Sequence, residues 1–375
     1  MAEPFKNLFN IPLIKGMSIH FKKHWPEFNA EVFIDSASAN FEQLELKQRS
    51  NQIKAAMVGC LPARFEHAAE ILLASLGAEL EDDLSAGYVG EAGISGWAVM
   101  PMADYVAEQG CGHFDLSMML FYEMTKRSSS EFAIRYFLVA MPEQTLLKLK
   151  AWVNDENQHV RRLVSEGTRP RLPWGMRLAV FVNNPHPVIA LLECLKDDEK
   201  EYVRRSVANN LNDIAKDHPD VVADIAEKWL KGASHARKRL VNHACRTLVK
   251  NGHKKTLRVL GFVKAKVSDV NLTILTPQVE FGADLRFSLS FESSGKKDQP
   301  LMIDYIVHHQ KANGNTSPKV FKWRATILKA KKMLSLDKKH GIRKITTRVY
   351  YPGVHRLDVV VNGEVLASGE FQLKM

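Results

Sequence analysis

The sequence predicts a mainly α protein: a HEAT-like α-solenoid over residues 1–262, followed by a small immunoglobulin-like β-sandwich over residues 269–375. Three observations carry that reading. Before about residue 262, apolar residues recur three and four apart, as in Leu146, Leu147, Leu149, Trp152 and Val153, with sparse Gly and Pro. From Pro142 onward this helical part repeats itself. After a short basic linker, about residues 261–268, the apolar period drops to two, that of half-buried strands.

The repeat rests on three landmarks. Pro142, Trp152 and Arg161 are matched by Pro185, Leu195 and Arg204, each pair 43 residues apart, and then by Pro219, Trp229 and Arg237 at shifts of 34, 34 and 33. Each unit opens on a proline suited to a helix's first turn and ends its first helix at a large apolar residue. Each then opens a second helix on a basic pair: Arg161-Arg162, Arg204-Arg205 or Arg237-Lys238. Two-helix units of this length stack into a curved array with a long concave face. The first unit is about nine residues longer than the second, and the excess falls between Arg161 and Pro185. Within it, residues 165–174 hold two prolines and a glycine, which cannot continue a regular helix, so a structured loop is expected there. Loops inserted into a regular scaffold carry function more often than the scaffold does.

In the C-terminal part, residues 285–291 alternate cleanly, as do residues 357–361 before the turn Asn362-Gly363, and a final strand lies near residues 371–373. Six or seven short strands in about 105 residues indicate a sandwich, without the cysteine pair of an inter-sheet disulfide.

Composition excludes several classes. The 375 residues are 45% apolar and 25% charged, ordinary globular values that argue for two or three domains and against disorder. Apolar runs such as Leu178–Val182 are far shorter than the ~20 residues that cross a bilayer, and the first ten residues hold no secretory h-region. Cys60, Cys111, Cys194 and Cys245 are widely spaced with no CxxC, as expected of reduced thiols in the cytoplasm and not of a zinc site or disulfide framework. GxxxxGK[ST] and HExxH are both missing, so phosphoryl transfer and zinc hydrolysis have no support.

Lys+Arg number 52 against 42 Asp+Glu, a net charge of +10, but the signs are segregated. Residues 231–266 and 311–348 together carry +22, and the rest of the chain carries −12. Bases concentrated in two blocks favour a polyanion such as nucleic acid, with a solvated basic helix face as the alternative.

Three polar clusters stand out: Ser128-Ser129-Ser130-Glu131-Phe132-Ala133-Ile134-Arg135, residues 160–174 (VRRLVSEGTRPRLPW) and residues 203–219 (VRRSVANNLNDIAKDHP). On spacing alone, Glu131 reads as an acid in a helix's first turn and Asp213 as the partner of an arginine from a neighbouring repeat. Trp174 reads as a loop anchor or as a ring presented to a ligand. Taken together, the three motifs resemble the AlkC branch of the HEAT-like-repeat DNA alkylation-repair glycosylases, over most of residues 1–260. The sandwich is similar to the immunoglobulin-like domain that some members of the branch append.

The resemblance implies a monofunctional enzyme that hydrolyses the N-glycosidic bond of small cationic lesions, 3-methyladenine and also 3-methylcytosine and 1-methyladenine. It implies no metal or cofactor, double-stranded DNA as partner, a cytoplasmic monomer, and excision without extruding the base, unlike most glycosylases. A methylated base is already a good leaving group, so the enzyme's task is to stabilise an oxocarbenium-like sugar and place a water, work suited to carboxylates. The resemblance assigns that work to Glu131 and Glu166, with Asp213 close by, and leaves open which one is the base. Trp174 would lie against the deoxyribose or the cationic base. Arg135, Arg161, Arg162, Arg169, Arg171, Arg204 and Arg205 would hold flanking phosphates. Basic residues at fixed repeat positions also form ion pairs inside a solenoid, so some of these never touch DNA. The competing reading is a non-catalytic helical-repeat scaffold that binds nucleic acid or protein.

Overall fold

The computed structural model describes residues 4–81, 84, 87–346 and 348–375, so Met1–Glu3 of the N-terminal stretch read above lie outside the described residues. The chain forms two compact units, Met1–Asp217 with Ala233–Ala244, and His218–Gly232 with Cys245–Met375.

The first unit holds α1 (Ile11–His24), α2 (Ala30–Ser38), α3 (Leu46–Cys60), α4 (Phe65–Ala74), a short hairpin β1 (Val89–Gly90) and β2 (Gly93–Ile94), then α5 (Val99–Gln109), α6 (Phe114–Thr125), α7 (Ile134–Ala140), α8 (Pro142–Trp152), α9 (Gln158–Gly167), α10 (Ala179–Asn183), α11 (His186–Leu195) and α12 (Glu201–Ile214). The second unit contributes α13 (Pro219–Leu230), the first unit α14 (His235–Ala244), and the second unit α15 (Arg246–Lys250) and α16 (Lys254–Val259). The three landmarks fall where the repeat predicts. Pro142 and Pro219 open α8 and α13, Pro185 caps α11, and Trp152 and Leu195 end α8 and α11.

The recurring position of the first arginine in the first two pairs has a local cause. Arg161 Nη1 donates to the carbonyls of Asp155 (2.8 Å) and Glu156 (3.0 Å), and Arg204 Nη1 donates to those of Asp198 and Glu199 (2.9 Å). Each arginine therefore reaches back five and six residues, to carbonyls that the turn between the paired helices leaves without helical partners. Arg161 also grips Asp198 of the next unit through Nε (2.7 Å) and Nη2 (3.1 Å), and Arg237 forms the same fork with Asp197.

The second unit's sandwich has a five-stranded sheet of order β4-β10-β9-β6-β7 and a three-stranded sheet of order β3-β5-β8. Its strands are β3 (Val267–Ile274), β4 (Gln278–Glu280), β5 (Asp284–Ser293), β6 (Gln299–Gln310), β7 (Thr316–Leu328), β8 (Met333–Gly341), β9 (Gly353–Val361) and β10 (Glu364–Lys374). All pairs are antiparallel except β10 with β4. Alternate residues Leu285, Phe287, Leu289 and Phe291 meet Leu301, Ile303, Tyr305 and Val307 in the core. Asn362 and Gly363 turn β9 into β10 with φ of 49° and 81°, the pair of positive values that a tight two-residue hairpin requires. Asn362 Nδ2 also donates to Val263 O (2.7 Å), which ties the basic linker to the sheet.

The sandwich buries His309, His340 and His355. Arg348 Nη1 lies 2.6 Å from His309 Nε2, and a guanidinium can only donate, so this ring nitrogen accepts and the ring is neutral. Burial, reinforced by Arg348, pushes His309 down to about 3 and His340 down to about 4. Both lie below the ordinary value, so the unfolded chain binds these protons first. The stability they contribute is complete above about pH 6.5 and is lost as the pH falls toward 4 and then 3. We expect β6 and β8 to lose roughly 2–4 kcal/mol between pH 7.5 and pH 5. Amide hydrogen exchange of the full chain, corrected for intrinsic rates, reads this directly, and equal protection at both values contradicts it.

Among the described residues, no helix is long and apolar enough to cross a membrane.

Candidate active site

The site forms along the seam between α9 and α12. Residues 162, 165 and 166 fall on one side of the last turns of α9, residue 169 follows two residues past its end, and residues 206, 210 and 213 share one face of α12 at helical spacing. Ser165, Glu166 and Gly167 are the final turn of α9, so the irregular loop begins at Thr168 and not at Ser165 as the prolines suggested. Helix propensity held three residues further than the breakers implied.

Glu166 is buried, with 5% of its surface exposed, and both its oxygens are engaged. Oε1 accepts from Arg169 Nη1 (2.6 Å). Oε2 accepts from Ser206 Oγ (2.6 Å) and faces Arg162 Nη2 (3.8 Å). Arg169 extends the chain by donating from Nε to Asp213 Oδ2 (2.8 Å), whose Oδ1 accepts from Lys216 (2.9 Å). At the other end, Arg162 Nη1 donates to Glu131 Oε2 (2.7 Å), and its guanidinium lies 5.0 Å from the Tyr202 ring centroid. One unbroken network thus runs Glu131–Arg162–Glu166–Arg169–Asp213. The structure brings all three expected carboxylates together.

Burial alone would push the Glu166 carboxyl up, but Arg162, Arg169 and the Ser206 hydroxyl outweigh it and hold the group below its ordinary value. Burial likewise opposes the charge on Arg162, yet Glu131 and Glu166 raise it. Glu166 and Arg169 stabilise each other's charge in the same way.

Glu131 does not sit in a helix's first turn. It lies in a turn ahead of α7, whose first turn holds no acid. Its second oxygen, Oε1, is free of hydrogen bonds among the described residues, unlike either oxygen of Glu166. Asp213 has the inter-repeat arginine partner that its spacing allowed.

The arginines divide by burial. Arg135, expected at a phosphate, is fully buried and cannot reach one. It donates to the carbonyls of Gly167 (2.8 Å), Arg169 (2.8 Å) and Met176, and so staples the loop after α9 at both ends. Desolvation, with Arg169 nearby, pulls it down to about 10. Arg161 is likewise spent on Asp198 and carbonyls, and Arg169 on the two carboxylates. Arg204 holds the turn before α12. Arg171 pairs with Asp217 (2.9 and 2.7 Å) at a partly exposed position, and Arg205 is exposed.

Trp174, at the loop's tip, is 56% exposed and has φ of 63°, a left-handed conformation that a tryptophan adopts only at a cost of about 1–2 kcal/mol. Lys47 of α3 donates to its carbonyl, and Phe5 meets its ring edge-on at 6.1 Å between centroids. The ring is held outward and is no core anchor.

Residues 268–375 match the family described as the C-terminal immunoglobulin-like domain of the uncharacterised protein YhaZ. The chain is 35% identical to the uncharacterized protein YhaZ of Bacillus subtilis (strain 168) over 370 residues, 98% of this chain and 99% of that one. Among solved structures, it matches the Pseudomonas fluorescens alkylpurine DNA glycosylase AlkC bound to DNA containing an abasic-site analogue. That match has 34% identity and a TM-score of 0.87, and it covers all of both chains. The chain belongs to the AlkC family.

Several residues of this AlkC-family seam escape a reading of the sequence. Ser206 orients Glu166, and Ser165 lies 2.7 Å behind it, hydroxyl to hydroxyl. Asn210 Nδ2 clamps the Ser165 carbonyl (2.8 Å) and Thr168 Oγ1 (3.1 Å), fixing the end of α9. The i, i+4, i+7 spacing of residues 206, 210 and 213 is the signal that could have found them. Nothing in the sequence singles out Lys47.

Proposed function

We propose that this AlkC-family chain is a monofunctional DNA glycosylase acting in base excision repair as a cytoplasmic monomer. It hydrolyses the N-glycosidic bond of small cationic alkylated bases, 3-methyladenine with 3-methylcytosine and 1-methyladenine, in double-stranded DNA without extruding the base. The observation that carries the reading is the Glu131–Arg162–Glu166–Arg169–Asp213 network. A carboxylate near a phosphate polyanion is repelled unless its charge is used, and a sugar cation uses it.

In this reading, the C1′–N bond breaks and its electron pair leaves with the base, cancelling the lesion's positive charge, so no acid need protonate the leaving group. Water adds to C1′ and gives its proton to a carboxylate, leaving a free base and an abasic site. Glu131 receives the water in our assignment, because its Oε1 is unengaged. Glu166, held on both oxygens, stabilises the sugar cation through its field, with Asp213 fixing Arg169 behind it. Trp174 lies against the sugar or the cationic base, where a cation–π contact contributes about 0.5–2 kcal/mol and favours charged lesions. In our assignment the exposed Arg205 and the partly exposed Arg171 meet phosphates, while Arg135, Arg161, Arg162, Arg169 and Arg204 act through the fold.

Release of 3-methyladenine from methylated duplex DNA by the wild-type chain is the test. Tight DNA binding with no release of any methylated base would favour the scaffold reading instead.

The sandwich assists binding in this scheme. Lys319, Lys322 and Arg324 are exposed on β7, an edge strand. Replacing all three by Ser should weaken DNA affinity and flatten the slope of log K against log salt by up to about 2.7, at ~0.9 for each phosphate no longer neutralised. An unchanged slope removes β7 from the interface.

A further inference from the structure

A cavity of about 200 Å³ opens beside Glu131, lined by Leu84, Trp97, Met100, Ser128, Ser129 and Phe132 together with Glu131 itself. It holds the combination that recognises a nucleobase. Two aromatic side chains and a thioether offer faces for a planar ring, and two hydroxyls and a carboxylate oxygen offer partners for its edge. Its volume is enough for a one- or two-ring base. Glu131 joins it to the catalytic seam. One oxygen is held by Arg162, which also donates toward Ser129 Oγ at 3.4 Å, while the other has two lone pairs, one for the water and one to accept an exocyclic amine. Trp97 is only partly exposed and meets Phe9 edge-on at 6.2 Å, so it presents a fixed wall. Phe132 is the residue next to Glu131, so the wall and the carboxylate come from one turn.

We propose that this cavity captures the free methylated purine after the glycosidic bond has broken, an inference that rests on the glycosylase reading above. Before cleavage, the backbone tethers the base within the duplex, and entering the cavity would require extrusion. After cleavage that tether is gone, and the base can leave the stack toward Glu131. Occupancy by the base also keeps it from recombining with the sugar cation and displaces water from an aromatic-lined space.

The experiment uses the full chain without DNA. Free 3-methyladenine is titrated into the wild type and into Trp97→Leu and Met100→Phe, the first removing a wall and the second filling the space, with far-UV circular dichroism confirming that each variant is folded. Saturable binding is expected for the wild type, at least tenfold weaker in both variants. Added 3-methyladenine is also expected to inhibit multiple-turnover excision by the wild type. No binding by the wild type, or equal binding by the wild type and a folded variant, overturns the capture site. Excision by the wild type is scored separately. Its absence would sink the glycosylase reading, whereas excision without base binding would sink the capture site alone.

Discussion

Glu166→Gln is expected to slow release of 3-methyladenine by roughly 10²–10⁴-fold while leaving the affinity for DNA with an abasic-site analogue unchanged or tighter. The amide keeps an oxygen for the Ser206 hydroxyl but loses the negative charge that Arg162 and Arg169 enclose. Removing one carboxylate raises the net charge of the seam by one, so binding to a polyanion does not suffer. The transition state does, because the sugar cation loses its counter-charge. Buried Arg169 and half-buried Arg162 are also left short of a partner, which costs stability, on the order of 3–5 kcal/mol for breaking a buried pair. Excision must therefore be compared well below the variant's melting temperature. The held-down Glu166 carboxyl sets the sign of its own contribution to the pH profile: the part of the activity lost when Glu166 takes up a proton should be lost only below the ordinary glutamate range. A Ser206→Ala variant, lacking one group that holds Glu166 ionised, should lose activity at a higher pH than the wild type. Excision by Glu166→Gln at the wild-type rate would remove Glu166 from the chemistry and leave Glu131 and Asp213 to account for it.

The architecture was legible in the sequence because its determinants are local. A proline opens a helix, a large apolar residue closes it, and in the first two units an arginine further on reaches back five and six residues for the carbonyls between the helices, so these landmarks share one register. The same applies to Asn362-Gly363, where two positive φ values demand those residue types. The three carboxylates were found through motifs, since spacing alone also allowed a first-turn acid at residue 131 and a plain ion pair at residue 213. What could not be read was which arginine faces inward. Arg135 and Arg205 look alike in sequence, but one is covered by a loop whose path depends on contacts with distant elements, including Lys47 of α3. Ser206 and Asn210 were hidden for a related reason. Their shared face with Asp213 shows in the spacing, but the role of a serine or asparagine within a helix is set only when the neighbouring helix gives it a partner.

Arg135 gives the second large effect. Arg135→Met should destabilise the first unit by about 3–5 kcal/mol, because it leaves the carbonyls of Gly167, Arg169 and Met176 in a buried site without their donor. Arg135→Lys should recover only part of that. Its compact ammonium lacks the planar fork that reaches carbonyls on opposite ends of the loop. The loop it staples carries Trp174 at a strained φ, so releasing the staple lets that residue relax toward ordinary backbone angles and withdraw its ring. Excision should therefore fall with both substitutions, and trypsin should gain access at Arg171 and Arg177. The salt dependence of DNA binding separates this account from a phosphate contact. A fully buried arginine touches no phosphate, so the slope of log K against log salt should be the same for the wild type and Arg135→Lys. A slope reduced by about one in Arg135→Met and restored in Arg135→Lys would place this side chain on the DNA and undo the stapling role.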